Sequence, residues 1–258
     1  MNVASKDGTT IAFDQIGAGP PVILICGGST DRMANADLAT ALAADFTVLN
    51  YDRRGRGDSG DTLPYAIERE YEDLDAVITA AGGSAAVHGT SSGAALALKA
   101  AAAGLGIAKL ALWEPPYVPQ GERRPPPNTA ATFTDLVEDG RRDAAVEFFM
   151  GEVVGLPPEF VAGARAQPFW ASQEAIAHTL AYDATIMDDY WLRAEEFVGV
   201  DTPTLVLYGG ASFPWFDVST RQLADALPNA RRKVLDGQQH NVDANVIAPV
   251  LVEFFRNA

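Results

Sequence analysis

Residues Gly89-Thr90-Ser91-Ser92-Gly93 lie between a short apolar run, Ala85-Ala86-Val87, and a helix-forming run, Ala94-Ala95-Leu96-Ala97-Leu98. Strand, Gly-x-Ser-x-Gly, helix is the context of a nucleophile elbow, a sharp turn that presents a serine at the end of a sheet strand. The two glycines have a physical reason. Without a Cβ at either flank, strand and helix approach closely enough to hold the serine in a strained turn. The pentapeptide alone is a weak pattern; its place between these two elements makes it informative.

Outward from the elbow the chain alternates strand and helix readings. Thr10 to Ile16 reads as extended and ends at the turn cluster Gly17-Ala18-Gly19-Pro20-Pro21. Val22-Ile23-Leu24-Ile25-Cys26 is an unbroken apolar run, as in a strand buried on both faces. A short helix is expected over Asp37 to Ala44, a strand over Phe46 to Asn50 and a helix over Arg69 to Ala81, with Leu74, Val77 and Ile78 on one face. After the elbow helix, Leu110 to Trp113 is the next strand. This alternation predicts an α/β fold with a mostly parallel central sheet covered by helices on both faces.

The rhythm breaks at Pro115-Pro116, and no convincing strand returns before Thr204. Helices are expected over Asp135 to Glu152 and Gln173 to Asp189. Residues 120–198 therefore read as an inserted helical cap, and residues 1–119 with 199–258 as the core. The sheet then resumes with Thr204 to Tyr208, a helix over Ser219 to Ala226, a strand over Arg232 to Leu235 and a closing helix over Asn245 to Arg256.

Composition narrows the classes of function. A chain of 258 residues, 48% hydrophobic, can bury a sizeable core, and its net charge of −15 opposes binding to nucleic acid or an anionic membrane surface. No apolar run approaches the ~18 residues of a membrane span and no secretory leader is evident, so a cytoplasmic location is the expectation. With Cys26 as the single cysteine, neither a disulfide framework nor a cysteine-based zinc site is expected, and no metal or other cofactor is implied. The expected partner is a small-molecule substrate, with a homodimer the alternative assembly.

A serine needs a base to take its proton. Of the three histidines, His88 precedes Ser91 on the strand itself and is expected to pack beside the sheet, while His178 falls within the helical segment. His240 follows the Arg232 to Leu235 strand in Asp236-Gly237-Gln238-Gln239-His240, on a loop at the sheet edge where open α/β folds place their sites. It is the candidate base. Arg53, Arg54 and Arg56 suggest a phosphate site at first sight, but Asp52 and Asp58 beside them are expected to satisfy the guanidiniums internally.

Four segments together resemble the α/β-hydrolase superfamily: Val22 to Ser29, Tyr51-Asp52-Arg53-Arg54-Gly55-Arg56-Gly57-Asp58-Ser59, the elbow, and Gly237-Gln238-Gln239-His240. The resemblance spans nearly the whole sheet in the right order. It implies Ser91 as nucleophile, His240 as base, and the backbone N–H of Ser92 as one oxyanion-hole donor. The second donor is expected from Cys26-Gly27-Gly28-Ser29, with Gly28 the first choice and Ser29 the second. Cys26 stands where the superfamily usually has histidine and is expected to be a small buried residue. The usual Gly-x-x-Asp is here Gly209-Gly210-Ala211-Ser212, and a serine carries no charge to stabilise an imidazolium.

Two carboxylates are candidates to replace that aspartate. Asp217 lies five residues further along the same loop, and Glu114 directly follows the Leu110 to Trp113 strand. Glu114 is preferred, since its strand is expected beside the elbow strand and Pro115-Pro116 stiffens the chain after it. In this placement the chain is similar to the fungal zearalenone lactone hydrolases. The helical segment is rich in aromatic and methionine side chains, and Trp170, Tyr182, Met187 and Trp191 are expected to line the substrate pocket. The resemblance implies a serine hydrolase acting on an ester or lactone of a largely apolar molecule through an acyl-enzyme. Two alternatives stand beside it: a C–C bond hydrolase or cofactor-free tailoring enzyme, and a receptor with a vestigial site.

Overall fold

The computed structural model describes residues 1–256. Its strands are β1 (Asn2–Ala4), β2 (Thr10–Ile16), β3 (Pro21–Ile25), β4 (Thr47–Tyr51), β5 (Ala85–Thr90), β6 (Ile107–Trp113), β7 (Thr204–Gly209) and β8 (Ala230–Leu235). They form one sheet in the order β1-β2-β4-β3-β5-β6-β7-β8. From β4 onward every pairing is parallel; β1 with β2 and β2 with β4 are antiparallel. The expected mostly parallel α/β sheet is present, with β1 as an added edge strand of three residues.

The apolar runs form these strands because successive side chains leave a strand on opposite faces, and here both faces are covered. Val22 and Leu24 of β3 pack into one hydrophobic cluster, with Val48, Trp113 and Leu207. Ile23 and Ile25 pack into the other, with Leu49, Val87 and Leu112. The first cluster is closed by α1 (Ala36–Leu42) through Leu38 and Leu42, and from the far end of the chain by the closing helix through Ile247, Leu251 and Phe255. The second is closed by α2 (Ile67–Ala80) through Leu74, Val77 and Ile78, and by α3 (Ser92–Ala102) through Leu96 and Leu98.

Between β6 and β7 the chain makes a helical excursion with α4 (Thr129–Glu138), α5 (Arg142–Phe148), α6 (Pro158–Arg165), α7 (Trp170–Ala175) and α8 (Leu180–Met187). The helix expected over Asp135 to Glu152 is divided, because Gly140 takes φ 73° and ends α4 in a left-handed turn. The helix expected over Gln173 to Asp189 is likewise interrupted by a short 3-10 turn at Ala177–Thr179. The excursion has its own small core, in which Phe133, Val146, Trp170, Ala177 and Leu180 are buried together. After β7 follow α9 (Trp215–Ala226), β8 and α10 (Ala244–Arg256), the closing helix. No helix among the described residues is long and apolar enough to cross a membrane.

The chain order places a crevice at the sheet's centre. From β3 the chain crosses to β4 on one side, whereas from β5 it crosses to β6 on the other. The carboxyl ends of β3 and β5 thus meet where connections diverge, the position at which open α/β sheets bind ligands.

Candidate active site

Ser91 stands at that position, between β5 and α3, with φ 56° and ψ −125°. Such a conformation is costly for a residue with a Cβ, by about 1–3 kcal/mol, and persists only where its surroundings dictate it. The surroundings here do so. A Cβ at Gly89 would lie 2.4 Å from the Gly93 carbonyl oxygen, and one at Gly93 would lie 2.4 Å from that of Cys26. Both flanks must therefore be glycine for the turn to close. The Ser91 N–H donates to the Trp113 carbonyl at 2.8 Å, and its own carbonyl accepts from Ala94 and Ala95, starting α3. Ser92 opens that helix, so its N–H belongs to a first turn whose donors have no acceptor within the helix.

His240 lies on the loop after β8, half-buried, and its Nδ1 is 2.6 Å from Glu114 Oε2. Glu114 follows β6 directly and is wholly buried, with φ 45°. Its carboxylate is held from two further directions. The Gly209 N–H donates to Oε1 at 2.8 Å and the Ser212 hydroxyl to Oε2 at 2.9 Å. The imidazole is fixed in turn: the Trp113 indole N–H donates to the His240 carbonyl at 2.8 Å, and the Phe216 ring lies near-parallel to it, 5.7 Å away. With Nδ1–H given to the carboxylate, Nε2 is the nitrogen able to accept a proton. Among the described residues no hydrogen bond joins this ring to Ser91 Oγ, an openness common for such pairs before a substrate binds.

Asp217, the other carboxylate weighed for the His240 contact, is engaged elsewhere. It accepts from the Tyr208 hydroxyl at 2.7 Å and from Arg221 at 3.0 Å, and pairs with Arg232. The Tyr208 hydroxyl and the neighbouring guanidiniums hold its carboxyl below the usual range. It occupies the start of α9, turned to β7 and β8 rather than to His240.

The loop after β3 lies against the elbow. A Cβ at Gly27 would meet Ser91 Cβ at 3.1 Å; one at Gly28 would come within 3.2 Å of Asp183 Oδ2 and 3.5 Å of Ser92 Oγ. Ser29 also has positive φ, 56°, and its hydroxyl donates to Gln173 Oε1 of α7. Cys26 is buried, and burial raises its thiol, so it behaves as a small core residue.

The arginines are paired with buried carboxylates, but not with the neighbours expected from the sequence. Asp52 and Asp58 both pair with Arg32. Arg53 instead forms two 2.7 Å bonds to Glu70 and one to Asp183, while Arg54 forms two to Asp73. Arg56 reaches Asp183 Oδ2 at 2.7 Å. All three are buried, and a buried guanidinium needs carboxylates facing its fork, which the turn geometry of its own loop does not supply. Asp183 was not legible as part of this site. One signal was present: a lone carboxylate in the apolar run Leu180-Ala181-Tyr182-Asp183-Ala184 must be paired if the helix is buried.

His88 is fully buried on β5, and burial depresses its pKa to about 4. His178 sits half-buried beside Asp61, 3.6 Å away, and burial lowers its pKa as well. Of the residues expected to line a pocket, Trp170 and Met187 are instead packed in hydrophobic cores, the first in the excursion and the second against the sheet. Tyr182 stacks on Tyr65 at 3.9 Å and donates to Asp61, and Trp191 is partly exposed beneath the Arg124 guanidinium. Large apolar side chains in short helices are taken first by the core that those helices must share. Among the described residues no group of three or more His, Cys, Asp or Glu side chains is arranged to hold a metal ion.

Known proteins share this architecture. An alpha/beta hydrolase from Sphaerobacter thermophilus is 52% identical, with a TM-score of 0.94 over 99% of this chain and 100% of its own. A thermophilic esterase from Thermogutta terrifontis is 21% identical, with a TM-score of 0.76 over 99% of this chain and 97% of its own, a likeness of fold. A non-heme chloroperoxidase from Kitasatospora aureofaciens is 25% identical over 92% of this chain and 91% of its own length. The sequence profile of the alpha/beta hydrolase family matches residues 22–248, and with the elbow, sheet order and chain-wide similarity above, the chain belongs to that family.

Proposed function

We propose that the chain is a serine hydrolase that cleaves an ester or lactone of a largely apolar small molecule through an acyl-enzyme. The observation that carries this reading is the 2.6 Å contact of His240 Nδ1 with the wholly buried Glu114. A buried carboxylate left to an imidazole, beside a serine on a strained turn, supports general-base activation of that serine. Ser91 Oγ attacks the carbonyl carbon while His240 Nε2 takes its proton, and Glu114 stabilises the imidazolium. The N–H groups of Ser92 and Gly28, with Ser29 as the second choice on that loop, receive the developing oxyanion. Removing one such donor typically costs about 10²–10³ in rate. Collapse breaks the carbonyl carbon–oxygen single bond, and the leaving oxygen takes the proton from His240. Water then attacks the acyl-serine with His240 again as base, releasing the acid and restoring Ser91.

Residues 120–198 act as the cap over this crevice. The apolar preference is supported by an aromatic path leading from the histidine. Phe216 lies against His240, Trp215 against Phe216 at 3.9 Å, and Phe213, 40% exposed, against Trp215 at 6.3 Å. The name of the Thermogutta relative, an esterase, is consistent with ester cleavage. The retained histidine–carboxylate pair argues against a receptor with a vestigial site.

Turnover of p-nitrophenyl esters tests the reading. Ser91→Ala is expected to lower kcat by about 10³-fold or more with the fold intact by circular dichroism, and a fluorophosphonate is expected to label Ser91 in the native chain. Undiminished turnover by the folded variant would refute Ser91 as nucleophile.

A further inference from the structure

A second buried carboxylate lies beside the elbow, outside the proton path. Asp183 of α8 is 4% exposed. Its Oδ1 accepts from the Ser92 hydroxyl and from Arg53 Nη1, each at 2.7 Å, and its Oδ2 accepts from Arg56 Nη2 at 2.7 Å. Arg56 Nη1 in turn donates to the Gly27 carbonyl at 2.6 Å and the Thr30 carbonyl at 3.1 Å. The two segments that carry the proposed oxyanion donors, Ser92 and Gly27–Thr30, are thus joined through one carboxylate and one guanidinium. Gly28 passes close beside that carboxylate, since a Cβ built at this position would come within 3.2 Å of Asp183 Oδ2.

We propose that Asp183 is a positioning residue for the oxyanion hole, setting the spacing of the Ser92 and Gly28 N–H groups by bridging the Ser92 hydroxyl to the arginine that grips the Gly27–Thr30 loop. The proposal rests on the serine-hydrolase reading above. Its effect is one of geometry rather than of charge. A carboxylate this near a developing oxyanion opposes it, and the guanidiniums of Arg53 and Arg56 offset that opposition. Burial alone would raise the Asp183 carboxyl, but Arg56, Arg53 and the Ser92 hydroxyl outweigh it and hold the group at about 2. It therefore remains an acceptor, and the Ser92 hydroxyl, committed to it as donor, leaves only the Ser92 backbone N–H for the substrate. Because Asp183 lies on α8, that helix is tied through it to the start of α3 and to the loop after β3.

Ser92→Ala and Asp183→Asn are compared with the native chain on a p-nitrophenyl ester and on an alkyl trifluoromethyl ketone, whose adduct resembles the tetrahedral intermediate. Ser92→Ala, which deletes one hydroxyl, is expected to lower kcat about tenfold or more with KM changed less than about twofold, and to weaken the ketone by the same factor as kcat/KM. A purely structural role would lower the thermal midpoint without this parallel loss. A folded Ser92→Ala with unchanged kcat, or with reduced kcat and unchanged ketone affinity, would overturn the proposal. So would a faster folded Asp183→Asn, the sign expected if charge rather than geometry were decisive; should Asp183→Asn fail to fold, Ser92→Ala still decides. A native chain inactive on esters and silent to the fluorophosphonate would remove the hydrolase reading and this inference together. An active native chain with an indifferent Ser92→Ala would remove this inference alone.

Discussion

Glu114 and Asp183 are the same kind of group in two different settings on either side of the elbow strand. Glu114 follows β6, one neighbour of β5; Asp183 reaches the loop after β3, the other neighbour. Both are buried, and both accept bonds on each of their oxygens. The difference is the partner. Asp183 faces two permanent cations, Arg53 and Arg56, so its surroundings cannot change charge during turnover. Glu114 faces an imidazole, a serine hydroxyl and a backbone N–H, and the only partner that can become charged is His240. A buried carboxylate matched by guanidiniums holds parts together; one left to a histidine is free to stabilise a charge that comes and goes.

The contrast can be broken first at Ser212. Its hydroxyl lies 2.9 Å from the Glu114 oxygen that meets His240, so a carboxylate at position 212 would arrive near the same imidazole. In a Glu114→Gln background, Ser212→Asp is expected to recover at least about tenfold in kcat of the roughly 10⁴-fold that loss of such an acid costs. No recovery in a folded double variant would mean that the histidine depends on Glu114 for more than charge.

Next come the stability effects. Asp183→Ala leaves two guanidiniums buried without their shared carboxylate and is expected to lower stability by about 3–5 kcal/mol in chemical denaturation. Glu114→Gln, which loses no buried counter-ion partner, is expected to cost less than about 2 kcal/mol. Equal losses would erase the distinction between the two settings.

Acid sensitivity sharpens it further. His88 is depressed from 6.5 to about 4 in the folded chain. Its contribution to stability is therefore full above pH 6.5 and lost as pH falls through 4, by about 3 kcal/mol in all. The Asp183 contribution is present above 3.8 and lost as pH falls through about 2. Denaturation midpoints measured from pH 7 to pH 4 are expected to fall, and His88→Gln to flatten that slope; an unchanged slope would place the sensitivity elsewhere. The smallest effect is expected at Asp217. Its ion pairs are partly exposed, and Asp217→Asn is expected to change stability by less than about 1 kcal/mol.

The sheet was readable because its strands are apolar on both faces. Val22 to Cys26 has no other stable place than between two helix layers, and β3 occupies it. Ser91 and His240 were readable because each stands at a strand end beside a turn, where local pattern and position agree. Glu114 was readable as a preference only, since Asp217 lay on the more usual loop; what separates them is the packing of β6 against β7, a non-local fact. The excursion was least legible. Its helices are short and interrupted, and of the expected pocket residues Trp170 went to its own core and Met187 to the core beside the sheet. Asp183 meets Arg53 and Arg56 across 130 and 127 positions of the chain, a distance over which no periodicity carries information.

The central claim, that Glu114 is the acid behind His240, is tested most directly by measuring p-nitrophenyl ester turnover of Glu114→Gln and Asp217→Asn side by side. The arrangement predicts a fall in kcat of about 10⁴-fold for Glu114→Gln and a change within about twofold for Asp217→Asn. The reverse result, a near-native Glu114→Gln beside a crippled Asp217→Asn, would contradict it.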